Sequence, residues 1–286
     1  MSNSATTRPL PLKILFCFGL CFIVIFTVLP LIWIFLTSFK NDLDTLAYPP
    51  LFIFKPTFKN YLDLLVRGLR SESGGSMLKP FWNSAVVTVS STAISLAIAC
   101  LAGYSLARLR PKGGNILMLA ILGARMLPPI VLVIPVFQIM HSFRLLDSLV
   151  ALIVPYTALN IPLATWMMYS FFLDLPFQLE EAAMVDGCTK LAAFRKIILP
   201  LTAPGLAATA IFGFVLAWND LIFALPLTTF QAVTLPVIAS RVRVEEGVLW
   251  GQLGAVASIM TIPVVIFTFA VQKHIIKGLT AGAVKE

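Results

Sequence analysis

The sequence predicts an all-α integral membrane protein: six transmembrane helices, with a polar helix–turn–helix between helices 4 and 5. Three observations carry that reading. Of 286 residues, 59% are hydrophobic and only 12% are charged, whereas a soluble domain devotes about a quarter of its residues to Asp, Glu, Lys and Arg. Mean hydropathy is +0.93, and the apolar residues fall in long uncharged blocks rather than in periodic stripes. A soluble enzyme, a secreted disulfide scaffold and a disordered chain are therefore excluded. The net charge of +8 is dispersed among hydrophobic blocks with no basic stripe and no zinc-ligand spacing, which points to lipid headgroups and anionic neighbours and not to nucleic acid. Cys17, Cys21 and Cys100 fall in apolar runs and Cys188 in a polar one, so no disulfide framework or metal site is implied.

A bilayer core is crossed by roughly 20 apolar helical residues. Ile14–Phe39, Pro80–Ala107, Ser148–Leu173, Ile197–Asn219 and Gly247–Gln272 contain no Asp, Glu, Lys or Arg, and Gly113–Met140 contains only Arg125. Pro128, Pro129 and Pro135 would break a soluble helix, but membrane helices tolerate such breaks where neighbouring protein satisfies the freed backbone groups. The expected spans are 14–39, 80–107, 115–140, 148–173, 204–226 and 251–273, treated as one transmembrane domain over 1–286. Ten-residue segments of alternating polarity, the mark of an outer-membrane barrel, are missing.

The first span follows Arg8 and Lys13 and runs on through Trp33 without a small-residue cleavage site, so it reads as a retained helix and not as a signal peptide. The compact cluster Arg108, Arg110 and Lys112 between spans two and three favours a cytoplasmic N-terminus. The stretches left outside the bilayer are each too short for an independent core, and Lys112-Gly113-Gly114 lacks the spacing of a phosphate-binding loop. If nucleotide drives this protein, another chain binds it.

Segment 174–203 has helical logic of its own. Pro176 suits a first helical turn, Glu180 to Val185 are helix formers, and Gly187 can adopt the left-handed conformation that ends a helix. Thr189 can cap a second helix whose Leu191, Phe194, Ile197 and Ile198 make an apolar stripe, closed by Pro200 and Pro204. Such a knob can enter a partner's groove; an amphipathic loop lying on the membrane surface fits the pattern equally.

The spacing Glu181-Ala182-Ala183, Gly187, Ile197, Leu199, Pro200 resembles the signature of the integral-membrane permease subunits of ATP-binding-cassette importers. Trp218-Asn219-Asp220 and the terminal Lys277-Gly278-Leu279-Thr280-Ala281-Gly282-Ala283-Val284-Lys285 narrow the resemblance to the carbohydrate-uptake branch, in particular the second permease of maltose-type systems; Glu286 stands where that branch usually has Gly. Asn83-Ser84 and the run from Ala102 to Arg108 look like the same branch. The resemblance implies a cytoplasmic docking segment for the ATPase carried by Glu180, Glu181, Ala182, Ala183, Asp186, Gly187 and Phe194. It implies an ATPase-interface tail at Lys277, Gly278, Thr280, Gly282 and Lys285. It further implies a multi-pass protein of a bacterial-type cytoplasmic (inner) membrane with both termini cytoplasmic. The implied partners are a second permease subunit, two ATPase subunits carrying ATP and Mg, and an extracytoplasmic solute-binding protein; the chain itself would hold no cofactor.

Ionisable groups inside spans are functional candidates, since a charge at the midplane costs at least about 2.5 kcal/mol on the mildest scale. Arg125 in a straight third span would sit near mid-bilayer and face a polar cavity; if the span starts later, it reaches the headgroups. Asn160, Trp218, Asn219 and Asp220 supply hydrogen-bonding groups beside an aromatic face, which suits a sugar path, while interhelical bonding suits the same residue types. His141 and His274 sit near span ends, and Cys17 with Cys21 reads as a helix face. No paired carboxylates or activated nucleophile occur at catalytic spacing, so the chain is expected to be a non-catalytic subunit importing a carbohydrate or related polyol or glycoside. The rival is a secondary transporter or channel for a small polar solute, for which Asp220 is the one intramembrane carboxylate.

Overall fold

A computed structural model describes residues 10–67, 76–244 and 247–282, with side chains at 14–66, 76–242 and 248–272. In chain order the elements are α1 (Leu10–Ser38), the single turns α2 (Asp42–Thr45) and α3 (Lys59–Leu62), α4 (Leu78–Tyr104), α5 (Gly114–Arg125), α6 (Pro129–Ser142), α7 (Val150–Leu173), α8 (Gln178–Val185), α9 (Lys190–Ala193), α10 (Leu199–Leu201), α11 (Ala203–Trp218), α12 (Ala224–Leu227), α13 (Leu235–Ser240), the two-residue strands β1 (Arg243–Val244) and β2 (Gly247–Val248), and α14 (Trp250–Gly282). Turns of π-helix follow α3 (Asp63–Arg67), α4 (Ser105–Leu109) and α9 (Phe194–Ile198). Among the described residues, Ile14–Ser38, Leu78–Leu109, Val150–Leu173 and Trp250–Gln272 are long and apolar enough to cross a membrane, and two bent helix pairs bring the total to six if each pair is one span.

The chain divides into two compact units. One comprises residues 1–76 and 242–259. There Gly254 lets α14 approach the backbone of α1, since a Cβ would lie 3.0 Å from the Ile34 carbonyl oxygen and the Ser38 amide nitrogen. Asn60 ties the end of α1 to the following loop by donating to the carbonyls of Ser38 and Lys40 at 2.8 and 2.9 Å. Lys40 is buried, donates to the Leu51 carbonyl at 2.7 Å and lies over the Trp33 ring. This arrangement keeps its charge partnered away from water.

The second unit, residues 77–241 and 260–286, is built on α4, α7 and α11. Gly103 of α4 abuts the backbone of Met168 and Tyr169, while Val87, sixteen positions earlier, clusters with Leu152 and Tyr156, so α4 and α7 run parallel. Gly205 of α11 meets Phe171, and Gly213 meets Thr92 and Asn160, so α11 runs antiparallel to both. Small residues at these crossings allow the close approach that drives helix association in lipid. Polar groups on α4 are buried along the same seam, where Ser91 and Ser95 bond back to the carbonyls of Thr88 and Thr92; such back-bonding satisfies hydroxyls without water.

Two expected spans are not single straight helices. The third breaks at 126–128, and α5 and α6 are bent by 90° to each other. Pro128 takes ψ 128°, outside the helical region, and Pro129 opens α6, because the residue before a proline is pushed out of the α conformation. The fifth helix stops at Trp218 rather than continuing to 226: the Asp220 carboxylate accepts from the Phe223 amide at 3.0 Å and starts a separate short turn. At its other end α11 continues from the α9–α10 segment across a 72° bend.

Candidate functional site

Two regions of the second unit gather the residues singled out in the sequence. The first is the helix–turn–helix. α8 begins at Gln178 with Glu180 and Glu181 in its first turn, where carboxylates favour the helix dipole. It ends on Gly187, whose φ is +87°, with the Gly187 amide donating to Met184 and the Cys188 amide to Ala183 at 3.1 and 2.9 Å. This is the paired bonding of a Schellman stop. The Thr189 hydroxyl accepts from the Ala192 amide at 3.2 Å and caps the second helix. Local chemistry therefore shapes the turn as the spacing suggested.

The structure splits the seven residues assigned to ATPase docking. Glu181, Ala182, Asp186 and Gly187 are exposed, as are Val185 and Leu191. Glu180 is 7% exposed and Phe194 6%, and both face their own chain, as does Ala183. The Tyr104 hydroxyl donates to the Glu180 carboxylate. Phe194 packs against Tyr104 with ring centroids 4.5 Å apart, in a cluster that also holds Ala99, Met168, Phe172 and Ile198. Glu180, Ala183 and Phe194 thus shape the knob from inside, and the surface left open to a partner is that of the exposed residues. Of the stripe on the second helix, Phe194 and Ile198 are buried while Leu191 is exposed, because the π turn shifts the facing positions after Ala193. Of the tail, the side chains of Lys277, Gly278, Thr280 and Gly282 and the whole of Lys285 lie outside the described residues.

The second region is a cleft of about 420 Å³ lined by Arg125, Tyr156, Asn160, Asn219 and Asp220 among apolar neighbours. The breaks in the third and fifth helices expose backbone and side-chain polar groups there, as irregular backbone at membrane depth does where it lines a cavity. Arg125, the last residue of α5, donates to the Leu159 carbonyl at 3.0 Å. Asn219 donates to Val215 at 2.9 Å, and the Tyr156 hydroxyl reaches the Asp220 carbonyl at 3.5 Å. Asn160 is buried and donates to the Gly213 carbonyl at 3.2 Å, so its amide bridges helices at the cleft wall.

Trp218 departs from the expected path. It is 1% exposed, donates from Nε1 to the Met260 carbonyl at 3.0 Å and stacks on Phe214. Its ring therefore braces the end of α11 instead of offering a sugar-stacking face.

Sequence reasoning missed Tyr156 and Asp147, and it gave Tyr104 and Arg108 no contact of their own. Asp147 has φ +57° and its carboxylate accepts from the amides of Thr229, Phe230, Gln231 and Ala232 at 2.9 to 3.1 Å. Burial alone would push its pKa up, but the four amide donors outweigh that and hold it below the ordinary carboxylate value. A lone Asp next to a span start gave no signal, since its donors are some 80 positions away.

Comparison with known proteins gives the family and the fold. Residues 95–281 match the family described as the binding-protein-dependent transport system inner membrane component. A probable ABC transporter permease, y4oR, of Sinorhizobium fredii is 39% identical over 99% of this chain and 98% of its own. The trehalose/maltose transport system permease MalG of Thermococcus litoralis is 36% identical over 96% and 97%. Among solved structures, a bacterial ABC transporter involved in import of the acidic polysaccharide alginate aligns over 92% of this chain and 95% of its own with a TM-score of 0.73 at 23% identity, which shows the same fold. The chain belongs to the inner-membrane component family of binding-protein-dependent transport systems and is a multi-pass permease subunit.

Proposed function

We propose that this permease imports a carbohydrate or a related polyol or glycoside, delivered by an extracytoplasmic solute-binding protein and driven by ATP hydrolysed, with Mg, on separate ATPase subunits. The single observation that carries the reading is the exposed face of the α8 turn: Glu181, Ala182, Asp186 and Gly187 stand on a rigidly capped knob backed by the helical core. The assembly is this chain with a second, related permease subunit and two ATPase subunits, the knob and both termini lying on the cytoplasmic side and the 277–285 tail reaching the ATPases. The carbohydrate assignment is supported by relatives named for trehalose and maltose transport. The cleft at Arg125, Asn219 and Asp220 suits it, because it pairs hydrogen-bond donors and acceptors with apolar walls, as polyol recognition needs.

The test is uptake into proteoliposomes holding the purified permease pair, with and without the ATPase and the binding protein. Uptake that needs both, with ATP inside, is expected. Uptake by this chain alone along a proton or sodium gradient would overturn the reading in favour of a secondary transporter.

A further inference from the structure

The helix–turn–helix is joined through the chain to two helices of the core: to α7 through residues 174–177, and to α11 through α10 and the bend at Thr202. α4 has no such connection. It nevertheless packs against α7 near both of its ends, at Val87 and at Gly103. What joins it to the segment is a set of side chains some 70 positions distant in sequence. The Tyr104 hydroxyl donates to Glu180, and Arg108 Nη2 donates to the Leu175 carbonyl at 2.8 Å. The guanidinium carbon of Arg108 lies 4.2 Å from the centroid of Phe177, which Arg110 also covers at 4.9 Å.

These polar groups are buried: Tyr104, Arg108 and Glu180 are 9%, 8% and 7% exposed. Arg108 Nε and Nη1 are buried with no hydrogen-bond partner among the described residues, while the Glu180 carboxylate is within electrostatic reach of the guanidinium. Replacing a buried charged set by apolar side chains is often neutral for stability, whereas removing one partner strands the other, so such a set constrains geometry more than it adds stability. The aromatic contacts of Tyr104 with Phe172 and Phe194 are non-directional and allow sliding. A hydroxyl–carboxylate bond and a guanidinium held to a carbonyl fix both distance and rotation. Two π turns begin beside these groups, Ser105–Leu109 after Tyr104 and Phe194–Ile198 after Ala193, and each interrupts the regular helical ladder, as bends in helices do. Without a directional tie, a push on α8 would be absorbed there.

We propose that Tyr104, Arg108 and Glu180 are positioning residues that lock the end of α4 to α8, so that a displacement of the exposed knob moves α4 together with α7 and α11. The inference rests on the reading of that knob as the ATPase-docking segment. It assigns a role to three residues that touch neither the ATPase face nor the solute cleft.

The test uses the full complex with its partner permease and ATPases in nanodiscs and proteoliposomes. Tyr104→Phe removes one hydroxyl and leaves the aromatic packing; Glu180→Ala removes the acceptor; Glu180→Gln keeps an acceptor for the hydroxyl. The ATPase is expected to co-purify normally with all three, and the number of solute molecules moved per ATP to fall about tenfold in Tyr104→Phe and Glu180→Ala but by no more than about twofold in Glu180→Gln. Spin labels at the exposed positions Leu101 and Val185 give a readout independent of transport. The wild-type distance should stay the same with and without a non-hydrolysable nucleotide, and should broaden in Tyr104→Phe. Wild-type transport per ATP in Tyr104→Phe and Glu180→Ala would overturn the proposal. Loss of the assembled complex in both would overturn it too, because the groups would then serve folding and not transmission. Glu181→Lys, on the exposed face, separates the two readings: normal ATPase co-purification in that variant would remove the docking assignment itself, whatever the Tyr104 and Glu180 variants do.

Discussion

The knob at α8–α9 and the cleft at Arg125 and Asp220 sit on the same three-helix core and are built in opposite ways. In the knob, polar side chains turn inward and find partners within the chain, leaving a small exposed face of Glu181, Ala182, Asp186 and Gly187 on a fixed turn. In the cleft, helices stop short and present Arg125, Asn219 and Asp220 to open space. The difference separates two physical tasks. On the proposed reading, a surface that transmits force needs its internal polar groups held in directional bonds, whereas a surface that passes a solute needs groups whose second partner can be exchanged.

The largest effect is expected from breaking the knob's turn. At Gly187 nothing lies within 4 Å of a built Cβ, so Gly187→Val suffers no clash, and the penalty is the positive φ alone, about 1–2 kcal/mol or more for a β-branched residue. The helix pair should splay, ATPase co-purification should drop by about tenfold or more, and Gly187→Asn, which tolerates this conformation, should recover most of it. Equal ATPase recovery with Val and with Asn would mean that the turn geometry has no part in docking.

Next in size are Arg125→Ala and Asp220→Ala, expected to lower transport about tenfold through loss of hydrogen-bonding groups while ATPase assembly stays intact. In a background lacking the native cysteines, Asn219→Cys should react with a water-soluble thiol reagent and Trp218→Cys should not. The reverse pattern would contradict the division between cleft and core.

A smaller effect, on stability, is expected at Asp147. Its carboxyl pKa is depressed in the folded protein, so the stabilisation is present above the unfolded carboxylate value of about 3.9 and is lost as pH falls through the folded value. Asp147→Asn keeps one acceptor oxygen for four amides and should lower the unfolding temperature at neutral pH, with the gap to wild type closing below about pH 4. A gap that does not vary with pH would mean that the charge contributes nothing.

The smallest change is Trp218→Phe, which keeps the aromatic body and deletes the bond to Met260. About 1 kcal/mol of stability should be lost, read as a modest fall in thermal melting in detergent, with apparent affinity for the transported solute unchanged. A shift in that affinity would return Trp218 to the path.

Much of the fold could be read from the sequence because its signals are short-range. Uncharged block length marked the apolar stretches Ile14–Ser38, Leu78–Leu109, Val150–Leu173 and Trp250–Gln272, since transfer into hydrocarbon is summed over consecutive residues, while α14 itself runs on to Gly282. Gly187 and Thr189 announced the turn because a positive φ and an N-cap are properties of one residue and its immediate successors. The prolines at 128 and 129 stood inside what was expected to be one span, and the 90° bend found there depends on what packs against the two halves. The candidate site was less accessible: Arg125, Asn219 and Asp220 were found because polar atoms inside apolar blocks are conspicuous, but Trp218 was assigned to the path on residue type when its Nε1 was committed to Met260.

Sequence alone determined that this chain spans a membrane, that its helices are interrupted by a capped polar knob, and that Glu181, Ala182 and Gly187 stand on that knob at a family's spacing. Tertiary structure decided which way side chains face. Glu180 and Glu181 are adjacent and chemically identical, yet Glu180 is buried against Tyr104 and Glu181 is exposed. Asp147 holds four amides of a loop some 80 positions away. Hydropathy and backbone propensity act over a few residues and are written locally, whereas the partner of a buried polar group is set by which helices cross, a choice made by packing over the whole core.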